Sequence, residues 1–238
     1  MSTAELIATN PDTWTAESCA EVNARLEDAS AEEIADWAVA TFGARLAVAS
    51  SMQDTILPHL FGTRLPGVDT LFLETGYHFS ATIETRERAA RELPITVVNV
   101  MPRQTVAEQD AEFGKELFAS DPNTCCFLRK VDPLARSLQG YDAWVTGARR
   151  ADAVTRAAMP VVTWDDVHGL VKINPLALWS DEQVEAYQVA NNLPRNPLVA
   201  QGYPSIGCEP CTRKVAPGED PRSGRWAGTD KTECGIHT

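Results

Sequence analysis

Cys125 and Cys126 stand side by side, and Cys208-Glu-Pro-Cys211 forms a CxxC turn 82 residues after Cys126. A CxxC turn aims two sulfurs at one point. A second pair completes four soft ligands, the donor set of zinc or of an iron–sulfur cluster. Zinc knuckles usually supply two CxxC turns. Adjacent cysteines sit about 100° apart around a helix, which suits a multi-iron body better than one small ion. Two plainer readings compete, buried free thiols and a thioredoxin-like redox pair. A redox CxxC opens a helix just after a strand, whereas this one lies in a loop-rich tail, so the pattern favours a metal centre. Cys234 differs. It is the fifth residue from the end of the sequence, in Lys231-Thr-Glu-Cys-Gly-Ile-His237. Such a thiol is either a nucleophile held ready by nearby cations or an incidental group on a chain end, and these residues alone leave both open. Cys19 reads as a packed thiol. His59, His78 and His168 carry no ligand spacing and read as structural or solvated.

The charge distribution points the same way. The 238 residues carry a net charge of −12, which disfavours non-specific nucleic-acid binding. Residues 1–119 hold 8 Lys and Arg against 19 Asp and Glu, whereas residues 120–238 hold 13 against 14. The cations therefore gather in the half that holds five of the six cysteines, as an anion site would require. Composition is that of a globular protein, with 44% apolar and 23% charged residues. No apolar run approaches the ~20 residues of a membrane helix, and Met1 to Trp14 lacks the features of a signal peptide. A cytoplasmic protein with no membrane or nucleic-acid partner is expected.

The elements that must position these groups alternate. Residues 1–43 read as helices, one capped by Asp12 or Thr15 and one by the Ser30/Glu33 capping box, ending at Gly43. Strands follow at Arg45–Ser50, Thr70–Glu74, Ile95–Val100 and Asp142–Gly147, with helices at Gln53–Phe61 and Phe79–Leu93 between them. The third strand is β-branched and nearly continuous, and reads as buried on both faces. This β–α–β–α–β order implies an α/β fold with an open, twisted parallel sheet flanked by helices. Val161–Trp164 and Leu170–Ile173 read as a late hairpin, Ser180 caps a helix to about Asn191, and residues 194–238 form a loop-rich tail. One domain is expected, with helices over 1–43, the α/β core over 44–193 and the tail carrying the chemistry. Ligands of such a sheet bind at the carboxyl ends of its strands. Ser50 and Ser51, Leu73 and Thr75, and Gly147 with Arg149 stand there. Ser50 and Ser51 are expected at a helix N-terminus, either as an anion cradle or as ordinary caps.

Four segments together resemble the assimilatory sulfonucleotide reductases, in particular the bacterial adenylyl-sulfate (APS) reductases that carry a [4Fe–4S] cluster. They are Asn196–Thr212, Cys125–Leu134, Arg222-Ser-Gly-Arg-Trp226 and Glu233-Cys-Gly-Ile-His237. Asn174–Ser180 and Thr146–Arg150 also fit. The resemblance spans about residues 43–238. It implies an adenine-nucleotide α-hydrolase-like fold and reduction of APS to sulfite and AMP with thioredoxin as electron donor. It further implies Cys125, Cys126, Cys208 and Cys211 as cluster ligands and Cys234 as nucleophile. By the same resemblance Lys130, Arg149, Arg156, Arg222, Arg225 and His237 surround the sulfate and phosphate, and Ser50, Ser51, Leu73, Thr75 and Gly147 surround the nucleotide. Lys130 follows Cys126 by four residues, so on a helix it shares that face. One departure is informative. Related ATP pyrophosphatases carry a glycine-rich SGGxDS loop, whereas this chain has Ser50-Ser-Met-Gln-Asp-Thr55. That disfavours ATP and fits a substrate with one phosphate and one sulfate. The alternatives are a PAPS reductase, which needs a site for a 3′-phosphate and typically lacks the cysteine pairs, a tRNA-modifying sulfur transferase, and a non-enzymatic zinc module. Oligomeric state, homo-oligomers included, is not fixed by the sequence.

Overall fold

The computed structural model describes residues 14–229, 231 and 233–236. Two helices come first, α1 (Ala16–Leu26) and α2 (Ala31–Phe42). Each starts at a capping box, Thr15 with Ser18 and Ser30 with Glu33, so the first-turn N–H groups are satisfied locally. Asp12, the other candidate cap, lies outside the described residues. Gly43, with φ of 51°, ends α2. Then β1 (Leu46–Ala49), α3 (Ile56–Gly62), β2 (Val68–Leu73), α4 (Ser80–Glu92) and β3 (Ile95–Val100) alternate as expected. Four short helices follow, α5 (Val106–Phe113), α6 (Leu117–Ser120), α7 (Pro122–Cys126) and α8 (Asp132–Ser137). The chain closes with β4 (Ala143–Val145), the hairpin β5 (Val162–Asp165) and β6 (Leu170–Ile173), and α9 (Asp181–Ala190).

The six strands form one sheet in the order β3-β2-β1-β4-β6-β5. All neighbours are parallel except β5, which pairs antiparallel with β6 and forms one edge. The order reverses between β1 and β4, which makes their carboxyl ends the crevice of the sheet. β3 is the other edge. Its residues are half-exposed up to Val100, which corrects the expectation of a strand buried on both faces. Its β-branched residues reflect strand propensity.

Alternation along the strands divides the core into two layers. Leu46, Val48, Ala143, Val145, Val171 and Ile173 face α1, α2 and α3, where Trp14, Trp37 and Phe42 stack edge to face. Ala47, Leu71, Trp144 and Leu170 face the other way, onto Leu134 and Leu138 of α8 and onto Ile236 of the tail. A tail residue is thus part of the packing beneath the sheet. Among the described residues no helix is long and apolar enough to cross a membrane.

Besides this packing, one side chain of α1 hydrogen-bonds the backbone at the start of the hairpin. Asn23 Oδ1 accepts from the backbone N–H of Val161 at 2.8 Å and of Val162 at 3.1 Å. Both residues are buried. Asn23→Ala strands these donors and should cost about 1–3 kcal/mol. Urea denaturation checks this; a change under about 0.5 kcal/mol would mean that the tie does not matter.

Candidate functional site

The first cysteine pair is placed by a short helix with a strong cap. Asp121 accepts from Asn123 N at 3.1 Å and Thr124 N at 3.0 Å, and Pro122 fills the first helical position. The helix ends at Cys125 and Cys126, both buried. The backbone then widens into a π turn over Phe127–Val131, closed by Asp132 N donating to Phe127 O. Such turns insert a residue into a helix and re-aim its side chains. Here Arg129 and Lys130 line the same cavity as the cysteines.

The second pair approaches from the tail. Cys211 N donates to Cys208 O at 3.0 Å, and Thr212 Oγ1 donates to the same carbonyl at 2.8 Å. Gln53, from the loop after β1, holds the segment leading to this turn. It donates to Pro204 O at 3.2 Å and accepts from Ile206 N at 2.8 Å. Glu209 N donates to Tyr77 O at 2.7 Å. The Cys208 thiol donates to Thr75 Oγ1 at 3.4 Å, so the end of β2 touches the cysteine turn directly. Cys125, Cys126, Cys208 and Cys211 line one cavity with Trp226, and none is in a disulfide.

This donor set fits a cluster. Its four cysteine sulfurs line one cavity and are the soft donors that a cluster takes; among the described residues no group of three or more His, Cys, Asp or Glu stands placed to hold a metal ion. Burial pushes the Cys125 thiol up to about 12, with Cys126, Cys208 and Cys211 adding to the rise. Burial likewise pushes Cys211 up to about 11. Burial raises Cys126 too, against the pull of Lys130 and Lys231. Thiols this dry keep their protons until a metal charge draws them off. A second observation agrees. Arg129 is 3% exposed, its Nε donates to Gln109 Oε1 at 2.7 Å and its Nη1 to Thr75 O at 3.0 Å. Its Nη2 is buried without a partner. A stranded charged donor on a wall of thiols suits an anionic sulfide. Sequence reasoning missed Arg129, because only the π turn and the contact with Gln109 turn it inward.

Cys234 is brought to this cavity by the tail. It is 9% exposed and packs with Cys126, Cys211 and Trp226. Lys130 lies in the field of Cys234, Cys208 and Cys126. Burial works against its ammonium, but these sulfurs outweigh it and its pKa is raised. Arg225 is half-buried. Burial lowers its pKa, Arg222 adds to this, and Cys234 and Cys208 oppose it. Its guanidinium lies 4.5 Å above the Trp226 ring, and Nη1 donates to Ser205 Oγ at 3.3 Å. The structure therefore brings Lys130 and Arg225, among the expected cations, to the Cys234 thiol.

The other expected cations are engaged by carboxylates. Arg149 Nη2 is 2.8 Å from both Asp152 and Asp181. Arg156 and Arg222 both hold Glu233, at 2.9 and 3.0 Å. His237 lies outside the described residues. The nucleotide candidates ring the crevice. Ser51 and Gly147 are exposed there, Leu73 ends β2, and Ser50 and Thr75 lie in the loops that follow β1 and β2. One expectation is corrected. Helix α3 starts at Ile56, not Gln53, because Asp54 Oδ1 accepts from Ile56 N at 3.1 Å and Met52 takes a φ of 58°. Ser50 and Ser51 thus stand in a loop before the helix, not at its N-terminus. The remaining histidines are structural, as expected. His59 Nδ1 lies 3.0 Å from Tyr187 Oη, His78 Nε2 2.9 Å from Leu73 O, and His168 Nδ1 2.8 Å from Asp165 Oδ2.

Known proteins match this arrangement. Residues 44–214 match the model of the phosphoadenosine phosphosulfate reductase domain. The chain is 58% identical over 214 residues to the adenosine 5′-phosphosulfate reductase of Mycolicibacterium smegmatis, covering 90% of this chain and 91% of that one. It is 55% identical over 212 residues to that of Streptomyces coelicolor, covering 89% and 90%. Among solved structures, a phosphoadenylyl-sulfate reductase from Candida auris superposes with a TM-score of 0.72 at 29% identity, over 85% of this chain and 98% of that one. A Candida glabrata FMN adenylyltransferase shares the fold alone, at a TM-score of 0.56 and 12% identity over 97% and 83%.

The seat of Arg225 depends on Gly207. A Cβ there would lie 2.3 Å from Arg225 Nη2 and 2.5 Å from its Cζ. Gly207→Ala must therefore push the guanidinium off Trp226. It should destabilise the protein by about 1–3 kcal/mol and quench less of the Trp226 fluorescence through Arg225. Unchanged stability and emission would show that Arg225 is not confined.

Proposed function

Because the chain belongs to the phosphoadenosine phosphosulfate reductase family, with adenosine 5′-phosphosulfate reductases as relatives over most of its length, we propose that Cys234 is the nucleophile through which it reduces APS. The chain is an oxidoreductase of sulfate assimilation, and its products are sulfite and AMP. One observation carries the assignment of Cys234. It stands apart from both cysteine pairs in sequence, yet the tail brings it, buried, against Cys126 and into the field of Lys130 and Arg225.

The chemistry follows from that placement. The Cys234 sulfur attacks the sulfate sulfur of APS, the S–O bond to the phosphate breaks, and AMP departs with the bonding pair. This leaves an S-sulfocysteine. Both reactants are anionic, so their approach in a dry site needs cations. The Lys130 ammonium and the Arg225 guanidinium offset the repulsion and receive the charge that develops on the leaving phosphate. A dithiol reductant of the thioredoxin type then attacks the Cys234 sulfur and releases sulfite. Its second thiol resolves the mixed disulfide, so the dithiol is oxidised and Cys234 returns as a thiol. A lone catalytic thiol requires such an external dithiol.

Cys125, Cys126, Cys208 and Cys211 would hold a [4Fe–4S] cluster. When bound, the cluster supplies a compact charge that orders the cations around it. Arg129 offers its stranded Nη2 to it, and Thr75 links its ligand Cys208 to the end of β2, beside the nucleotide crevice. Ser50, Ser51, Leu73, Thr75 and Gly147 receive the adenosine and its phosphate. The helices, core and tail act as one domain, since Asn23 and Ile236 tie the first helix and the tail to the same sheet.

Cys234→Ser should abolish sulfite release and leave iron content unchanged. Wild-type protein mixed with APS without reductant should gain the mass of one SO₃ group on its C-terminal peptide. An adduct on any other cysteine sinks the assignment, and turnover of PAPS in preference to APS sinks the substrate. Lys130→Ala should lower the single-turnover rate of adduct formation about 10²–10³-fold, about 2.7–4 kcal/mol of transition-state stabilisation, as for removal of one preorganised donor. A wild-type rate would assign Lys130 to packing alone.

A further inference from the structure

Arg129 stands where the cysteine cavity meets the end of β2. It is buried, and two of its arms are fixed. Nε donates to Gln109 Oε1 at 2.7 Å, and Nη1 donates to the Thr75 carbonyl at 3.0 Å. Nη2 is left without a partner, although the residue lines the cavity with Cys125, Cys126, Cys208 and Cys211. The loop after β2 is moulded on this guanidinium. Its Cζ lies 5.2 Å from the centre of the Tyr77 ring, and Tyr77 Oη accepts from Gln109 Nε2 at 3.4 Å. Gln109, 1% exposed in α5, therefore holds both the arginine and the ring stacked on it. A Cβ on Gly76 would lie 3.6 Å from Arg129 Nη1 and 2.8 Å from Val106 Cγ2. With a φ of 74°, Gly76 lets the backbone close in on the arginine. Thr75, Gly76 and Tyr77 thus rest on one side chain that still has a donor to give.

We propose that Arg129 is a positioning residue that couples filling of the cysteine cavity to nucleotide binding at the end of β2. A buried charged donor without a partner is costly, so the guanidinium is drawn toward any acceptor within reach. Its fork is planar and rigid. Nη2 cannot turn to another acceptor without pulling Nη1 from the Thr75 carbonyl. An anionic body in the cavity gives Nη2 its partner where it already stands, and the fork then locks Thr75 and the loop behind it. Leu73 and Thr75 are the β2 residues assigned to the nucleotide, so a locked loop is a ready half of that site. The two events favour each other, and by linkage the effect is reciprocal. Thr75 touches Cys208 as well, but through a thiol, which is a weak donor. A lysine at position 129 would bring the charge without the fork. It could meet the anion or the Thr75 carbonyl but would not fix one against the other. The inference rests on the cysteines as cluster ligands and on the end of β2 as the nucleotide site.

The test reads the dissociation constant of AMP by anaerobic calorimetry, with no turnover. AMP carries the nucleotide without the sulfate, so it reports on the end of β2 and not on the Cys234 pocket. Wild-type protein is measured as purified, with iron and sulfide assayed, and again after an iron chelator has stripped it. AMP should bind the loaded protein at least about fivefold more tightly than the stripped one, the lower end of coupling between two sites. Arg129→Lys should keep its iron and sulfide, and its loaded-to-stripped ratio should fall below half that of the wild type. Cys19, 1% exposed in α1, should resist alkylation in the stripped proteins, which shows that they are folded. A second comparison needs no stripped protein. Loaded Arg129→Lys should bind AMP at least about threefold more weakly than loaded wild type, within the same range of coupling. Equal affinity of loaded and folded, stripped wild type overturns the inference. So does an Arg129→Lys variant that binds AMP like the wild type when loaded. A protein that purifies without iron and sulfide overturns the cluster reading and this inference with it. A loaded protein that binds no AMP overturns the nucleotide site instead, and again this inference with it.

Discussion

Everything around the site follows from packing four sulfurs around one cavity with a fifth against its wall. A thiolate there has lost its water, and each neighbouring thiolate makes it worse. The chain resolves this by sinking cations among the sulfurs. Lys130 and Arg225 are half-buried in the field of Cys208 and Cys234, and Arg129 is buried next to Cys125. Each cation is expensive to bury alone, so each needs the sulfurs as much as they need it. This mutual requirement explains the uneven charge of the sequence. The positive groups collect where the cysteines are, and the acidic surplus is left to the first half.

Holding such a pocket requires rigid walls from distant parts of the chain. The reversal of strand order between β1 and β4 supplies them. Its crevice lets the loop after β1 reach the tail through Gln53, and the end of β2 reach Cys208 through Thr75. The crevice of the sheet and the cysteine cavity therefore share a wall, as the proposed reaction requires of a substrate with adenosine at one end and sulfate at the other. The same sheet in a Candida glabrata FMN adenylyltransferase carries other chemistry, as expected when function resides in loops grafted on a common scaffold.

Local signals were legible in the sequence, and long-range ones were not. Thr15, Ser30 and Ser180 were readable as caps because a capping box involves residues three apart and nothing else. The two cysteine pairs were readable because ligand chemistry restricts residue type and spacing. The start of α3 was misjudged, since Asp54 competes for the helix N–H and shifts its first turn. The edge position of β3 was hidden, because β-branched residues serve an edge strand as well as a central one. Arg129 was out of reach for a different reason. Its partners, Gln109 and Thr75, lie 20 and 54 residues earlier in the chain, and no spacing rule joins them.

The cover over Cys234 has a bearing on the lifetime of the enzyme. A reactive thiol left in the open is carried by peroxide from sulfenic to sulfinic acid, and the later steps do not reverse without dedicated repair. At 9% exposure, the sulfur is hidden from small oxidants for as long as the tail is seated. The neighbouring sulfurs are shielded by the same lid, since Cys234 and Ile236 pack over Cys126. Damage should therefore accumulate with the number of turnovers completed, not with the time that the protein spends in the cell.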